Sequence, residues 1–156
     1  MSATETFEAI RAFGEHEHRD LGRGLGEIHE AANLVGSCSH ADVRHAIRGV
    51  VAWATTSLEP HLAWEEAWLY PQIERVTGTE WATRPARFDH GQIGALVARL
   101  RLHEATASHV WTVGTTGELR CDLFALEALL RAHIQREEEL LLPVLDQWER
   151  AATHDA

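Results

Sequence analysis

Cysteine is scarce in this sequence, and its placement follows no pattern. Cys38 and Cys121 are the only two in 156 residues. They lie far apart in sequence and match no metal-binding spacing, and a disulfide between them forms only if the fold brings them together. Free thiols in a reducing cytoplasm are the expectation. Strand signals are missing too: period-two alternation is weak and no Asn-Gly or Asp-Gly hairpin turn occurs. Basic charge is in short supply, with 14 Lys and Arg against 24 Asp and Glu and a formal net charge of -10. A field of that sign repels phosphate backbones, which argues against nucleic-acid binding. No segment approaches the roughly 18 uninterrupted apolar residues of a membrane span. The N-terminal MSATETFEAI is acidic and lacks an apolar run, so no signal peptide is expected.

What is present is the mix of a globular protein, 45% hydrophobic and 24% charged, at a length that suits one domain. Apolar residues recur at steps of three and four. They predict an all-α fold of four helices at about 4–35, 41–76, 80–113 and 118–151, followed by a short tail at 152–156. Gly36 with Ser37, Thr77-Gly78-Thr79, and Gly114 to Gly117 mark the breaks. Ser39 with Asp42, Thr77 with Glu80, and Thr115 with Glu118 are the candidate capping pairs. Connections this short imply an antiparallel up-down-up-down four-helix bundle over residues 1–151.

Histidine is the abundant oddity, with 11 residues. Tracing the apolar face of each helix puts His18 in line with Ile10, Gly14, Leu21, Leu25, Ile28, Ala32 and Val35. His61 and Glu65 fall in line with Ala54, Leu58, Trp68 and Gln72, and His90 with Ile93, Val97, Leu100, Ala107 and Trp111. His133 and Glu137 fall in line with Leu126, Leu130, Leu140, Val144 and Trp148. Each core stripe thus carries one histidine, and two carry a glutamate one turn later. An internal two-fold pseudo-repeat reinforces the pattern: His18 and His90 are 72 residues apart, as are His61 and His133, Glu65 and Glu137, and Pro71 and Pro143.

Side chains four apart on a helix point into one volume. Two buried glutamates facing each other are costly, and each would raise the other's pKa. A pair of divalent cations removes the difficulty, because each carboxylate can bridge both. Imidazole and carboxylate donors without thiolate favour iron, with manganese or zinc chemically possible. A lone core histidine is more often a hydrogen-bonded packing residue, but four histidines and two glutamates in repeat-related core positions are not explained that way.

The order His, His-x-x-x-Glu, His, His-x-x-x-Glu resembles the hemerythrin-like (HHE cation-binding) family. The stretches HLAWEEAWLYP (61–71) and HIQREEELLLP (133–143) are similar to its paired segments, and EHRDL (17–21) and DHGQI (89–93) to its single-histidine helices. The resemblance implies two iron ions with an oxo or hydroxo bridge. In that picture Glu65 and Glu137 bridge the ions, and His18, His61, His90 and His133 are terminal ligands. It implies uptake of O2 or a related small ligand such as NO, peroxide or azide. An enzyme acting on peroxide or nitric oxide, and iron storage, remain as alternatives. A ferritin-like oxidase would need two Glu-x-x-His motifs, and only Glu15 with His18 fits.

Several positions stay open. His16 competes with His18 but is off the stripe and breaks the repeat. Glu66 and Glu138 turn toward a helix flank and are expected to support the ligands. The oxygen-carrying members have a fifth histidine where this chain has Gly94, and end with His-x-x-x-x-Asp where it has Glu138. Gly22 and Gly94, one turn beyond His18 and His90, either make room for a further ligand or permit close helix packing. Pro71 and Pro143 are expected to kink rather than end their helices. Most of the six tryptophans read as core or interhelix filler, and Trp68 and Tyr70 as packing residues near enough to join redox events. His29, His40, His45, His103, His109 and His154 fall off the ligand pattern.

Overall fold

A computed structural model describes His18, residues 21–106 and residues 112–147. The expected start of the first helix, with Ile10, Gly14 and His16, lies outside the described residues. So do the predicted far ends of the third and fourth helices, with His109, Trp111 and Trp148, and the tail with His154. Among the described residues the protein is entirely helical, and four helices pack around a shared core. Helix α1 covers residue 18 and 21–34, α2 covers 40–77, α3 is Arg84–Thr106, and α4 covers 113–147. No helix among the described residues is long and apolar enough to cross a membrane.

The helix ends follow local chemistry. After α1 the backbone turns through Gly36 at φ +86°, while the Ser37 and Cys38 amides cap the Leu34 carbonyl. Ser39 opens α2 by accepting a hydrogen bond from the Asp42 amide, as its spacing predicts. Gly78 ends α2 in the left-handed region at φ +69°, which costs a glycine nothing. Two expected caps are displaced. Thr77 is the last residue of α2, its hydroxyl bonded back to the Ile73 carbonyl, and Thr79 instead accepts from the Trp81 amide to open a 3-10 turn at Glu80–Ala82. The fourth helix begins at Val113, five residues before its predicted start. The Thr112 hydroxyl accepts from the Thr115 amide, and with that cap in place Gly114 and Gly117 are carried inside the helix.

The prolines leave their mark in the backbone. The chain stays helical through Pro60, Pro71 and Pro143, and each follows a π-helical turn: Ala54–Leu58, Glu65–Leu69 and Glu137–Leu141. In each case the residue before the proline (Glu59, Tyr70 or Leu142) donates its N–H five residues back, to Ala54, Glu65 or Glu137. A proline ring crowds the carbonyl four residues before it and offers that carbonyl no donor. Widening the turn by one residue relieves both problems.

That extra residue corrects the predicted core stripes, since one residue rotates every later side chain by about 100°. Beyond Glu65, Trp68 is 60% exposed and Gln72 only half-buried, while Leu69, Tyr70 and Ile73 turn inward. Beyond Glu137, Leu140 is 61% exposed and Val144 half-buried, while Leu141, Leu142 and Leu145 are buried. The tryptophans are not uniformly filler either: Trp68 and Trp81 are exposed, Trp53 and Trp64 half-buried.

The apolar core is divided. A large cluster, including Leu21, Ile28, Ile47, Leu58, Ile93, Leu100, Leu126 and Leu130, fills one stretch of the helices. A smaller one, built on Leu69, Tyr70, Ile73, Ala86, Leu141, Leu142 and Leu145, fills another. Along α2 and α4 the polar residues His61, Glu65, His133 and Glu137 fall between the two. Fully burying one large aliphatic side chain contributes about 1.5–3 kcal/mol, so these clusters can hold a polar layer that would not be stable alone.

Candidate metal centre

All six predicted ligands are brought together, and five of them (His18, His61, Glu65, His133 and Glu137) are buried. They form two overlapping groups, in each of which one donor atom per residue lies within 4.8 Å of the others. One is His18, His61, Glu65 and Glu137; the second is Glu65, His90, His133 and Glu137. Both carboxylates belong to both groups.

Glu65 divides its oxygens between the two imidazole pairs. Oε1 lies 2.7 Å from His61 Nε2 and 3.6 Å from His18 Nε2, and Oε2 lies 3.1 Å from His90 Nε2 and 3.7 Å from His133 Nε2. Glu137 turns Oε2 inward, 3.3 Å from His18 Nε2 and 3.6 Å from His133 Nε2. Its Oε1 accepts a hydrogen bond from the Tyr70 hydroxyl at 2.5 Å, and that hydroxyl is also 2.9 Å from His90 Nε2. Close as these atoms are, His18 Nε2, His61 Nε2, both Glu65 oxygens and Glu137 Oε2 are buried without a hydrogen-bond partner among the described residues. Buried polar atoms normally find partners, and several converging orphans of the imidazole and carboxylate types are what a cation would satisfy.

The electrostatics agree. Burial works against the charge on Glu65, but His133, His18, His61 and His90 together hold its carboxyl well below the usual range. Burial, with the charge of Glu65 beside it, pushes Glu137 upward. Burial would lower His18, yet Glu137 and Glu65 raise it to about 10. Burial, then the two glutamate charges, drive the Tyr70 phenol far above its ordinary value, so it stays a protonated donor.

Carboxylates stand at the outer nitrogens of three of the four imidazoles. Glu66 and Glu138, expected on helix flanks, reach round to the outer nitrogens: Glu66 Oε1 is 2.9 Å from His90 Nδ1, and Glu138 Oε1 is 3.3 Å from His18 Nδ1. Sequence reasoning missed Asp89, whose Oδ2 is 3.7 Å from His133 Nδ1 and which pairs with Arg136. Its place one residue before His90 was the only available signal. It also underrated Tyr70, because the π turn that swings this ring inward is invisible in a three-four pattern.

The glycine expectation is overturned. Gly22 and Gly94 are exposed, and a Cβ at either would meet no described atom within 4 Å, so they neither open the site nor permit close packing. The close approach is at Gly24, where a Cβ would overlap the Trp53 indole. Of the remaining histidines, His29 pairs with Glu127 and His103 with Asp122, and His40 and His45 are exposed. Cys38 and Cys121 are exposed free thiols.

Residues 10–145 match the hemerythrin HHE cation-binding domain. No curated protein and no solved structure matched the chain.

Proposed function

We propose that this chain, which belongs to the hemerythrin HHE cation-binding domain family, is a non-haem di-iron protein that takes up O2 or a related small ligand. In this reading His18 and His61 would hold one ion, His90 and His133 the other, and Glu65 and Glu137 would be shared by both. The observation that carries it is Glu65, a fully buried carboxylate with one oxygen facing each imidazole pair and neither oxygen hydrogen-bonded among the described residues. Nitrogen and oxygen donors without sulfur suit iron. An antiparallel bundle over residues 1–151 with a two-fold repeat belongs to the same proposal. Side-chain pairings that run in opposite directions along neighbouring helices support it: His18 with Glu138 and His29 with Glu127, Arg48 with Glu104 and Glu66 with His90, Asp89 with Arg136 and Arg99 with Asp122.

Bound iron would supply one-electron chemistry toward a small molecule. The chain's own contribution is to hold and seclude it. Leu58, Leu62 and Leu130 on one side, with Leu69, Ile73 and Leu141 on the other, keep bulk water from the layer. Tyr70 holds a proton at its hydroxyl beside both His90 and Glu137, placed to donate to a ligand arriving there. The fifth histidine of the oxygen carriers has no replacement at Gly94, which faces outward.

Tyr70 also suits a second reading, an enzyme acting on peroxide or nitric oxide, because a secluded hydroxyl can hydrogen-bond a bound ligand in turnover as well as in carriage. The test is anaerobic ferrous loading followed by iron analysis and visible spectra before and after air. Two irons with a reversible charge-transfer band support uptake of oxygen. Two irons that oxidise irreversibly support the enzymatic reading. A chain that takes up no metal refutes both.

A further inference from the structure

The two imidazole pairs are braced unequally. His90 Nδ1 meets Glu66 Oε1 at 2.9 Å, and the other Glu66 oxygen pairs with the Arg87 guanidinium. Arg87 in turn reaches Glu74 Oε1 at 3.0 Å, Glu74 accepts from the buried Thr83 hydroxyl, and the guanidinium lies 5.1 Å over the Tyr70 ring. His133 Nδ1 has no hydrogen-bond partner among the described residues, but it faces Asp89 Oδ2 at 3.7 Å, which Arg136 holds. Each outer nitrogen of this pair therefore faces a carboxylate that is itself fixed by a guanidinium. Around the other pair, His18 meets Glu138, whose side chain is 52% exposed and has no guanidinium against it among the described residues. His61 Nδ1, like His133 Nδ1, is buried with no hydrogen-bond partner among them, and unlike it has no described carboxylate opposite it. The sequence carries the same asymmetry, because the 72-residue offset sets Glu15 and Trp64 where the braced half has Arg87 and Arg136.

A carboxylate on the outer nitrogen fixes an imidazole's tautomer and orientation and raises its basicity, and losing such a partner lowers metal affinity about 10- to 100-fold. An arginine holding that carboxylate keeps it ionised and aimed, through a planar fork that a lysine does not reproduce. Resting on the two-metal reading above, we propose that the two positions are inequivalent. The His90/His133 position fills first and holds its ion tightly, and the His18/His61 position fills second and exchanges. Arg87 is a positioning residue that sets this order through Glu66.

The test is titration of the metal-free full chain with Co(II), followed anaerobically by d–d absorbance and calorimetry. The chains compared are wild type, Arg87→Ala, Arg87→Lys, Glu66→Gln and the surface control Arg48→Ala, whose partner Glu104 lies away from the site. Circular dichroism of each metal-free chain verifies folding. Wild type should bind two ions in steps separated at least ten-fold. Arg87→Ala and Glu66→Gln should weaken the tight step by about 10- to 100-fold and leave the weak step unchanged. Arg87→Lys should restore part of the loss, and Arg48→Ala should match wild type. Two equal steps in wild type overturn the proposal, as does an Arg87→Ala chain whose tight step is unchanged or whose steps weaken equally. Two ions bound in equal steps leave the di-metal reading standing, whereas no Co(II) uptake overturns that reading together with the order.

Discussion

Replacing Glu65 by glutamine tests the electrostatics of the polar layer while keeping its shape. In the metal-free protein, burial opposes charge on both Glu65 and His18. The imidazoles nonetheless hold Glu65 low, and the two glutamates carry His18 from 6.5 to about 10. At about 1.4 kcal/mol per pKa unit, a rise of that size favours the imidazolium by roughly 5 kcal/mol. Glu137, whose carboxyl is pushed up by burial and by the charge of Glu65, is relieved when that charge goes and takes over part of the pairing from 3.3 Å. The single substitution should therefore cost about half the total, on the order of 2 kcal/mol. For a chain of this size that lowers Tm by roughly 4–8 °C. A raised histidine pKa contributes stability that is complete below 6.5 and is lost as pH rises through about 10. The deficit of Glu65→Gln should thus be full at pH 6 and small by pH 10, and Glu65→Gln with Glu137→Gln should lose the remainder. Thermal denaturation in chelator at pH 6, 8 and 10 measures this. A Glu65→Gln chain as stable as wild type at pH 6, or one whose deficit grows toward pH 10, refutes the reasoning.

Tyr70→Phe should keep the ring packing and the metal content, cost about 1–2 kcal/mol for the acceptor it strands on Glu137, and change azide affinity or air-oxidation rate several-fold; unaltered ligand chemistry would remove Tyr70 from the site. Gly94→Ala should leave azide binding unchanged and stabilise the exposed helix by about 0.5–1 kcal/mol, whereas Gly24→Ala should displace Trp53 and destabilise by about 1–3 kcal/mol; denaturant melts separate the two. Because imidazoles must lose protons to bind metal and His18 is raised to about 10, Co(II) affinity should climb with pH across the neutral and mildly alkaline range; an affinity independent of pH between about 6 and 9 would contradict histidine ligation.

The layer itself was legible because its code is local. His61 with Glu65, and His133 with Glu137, need only the pitch of a helix to converge, and the 72-residue offset identified their partners His18 and His90. The side chains beyond it were harder to read. A π turn after each glutamate adds a residue that no three-four stripe anticipates, so the stripe points Trp68 and Leu140 inward whereas Tyr70 and Leu142 are the buried residues. The prolines two residues after those turns are the cue, since each needs the carbonyl four residues back moved aside. Asp89 and Arg87 were hidden for another reason: their partners Arg136 and Glu66 lie on other helices, and pairing across helices leaves no spacing to detect.

Anomalous diffraction from crystals of the iron-loaded protein tests the central claim most directly. Two peaks about 3.5–4 Å apart, with Glu65 between them and one imidazole pair on each, are predicted. A single peak, or two peaks lying away from Glu65, would contradict the account.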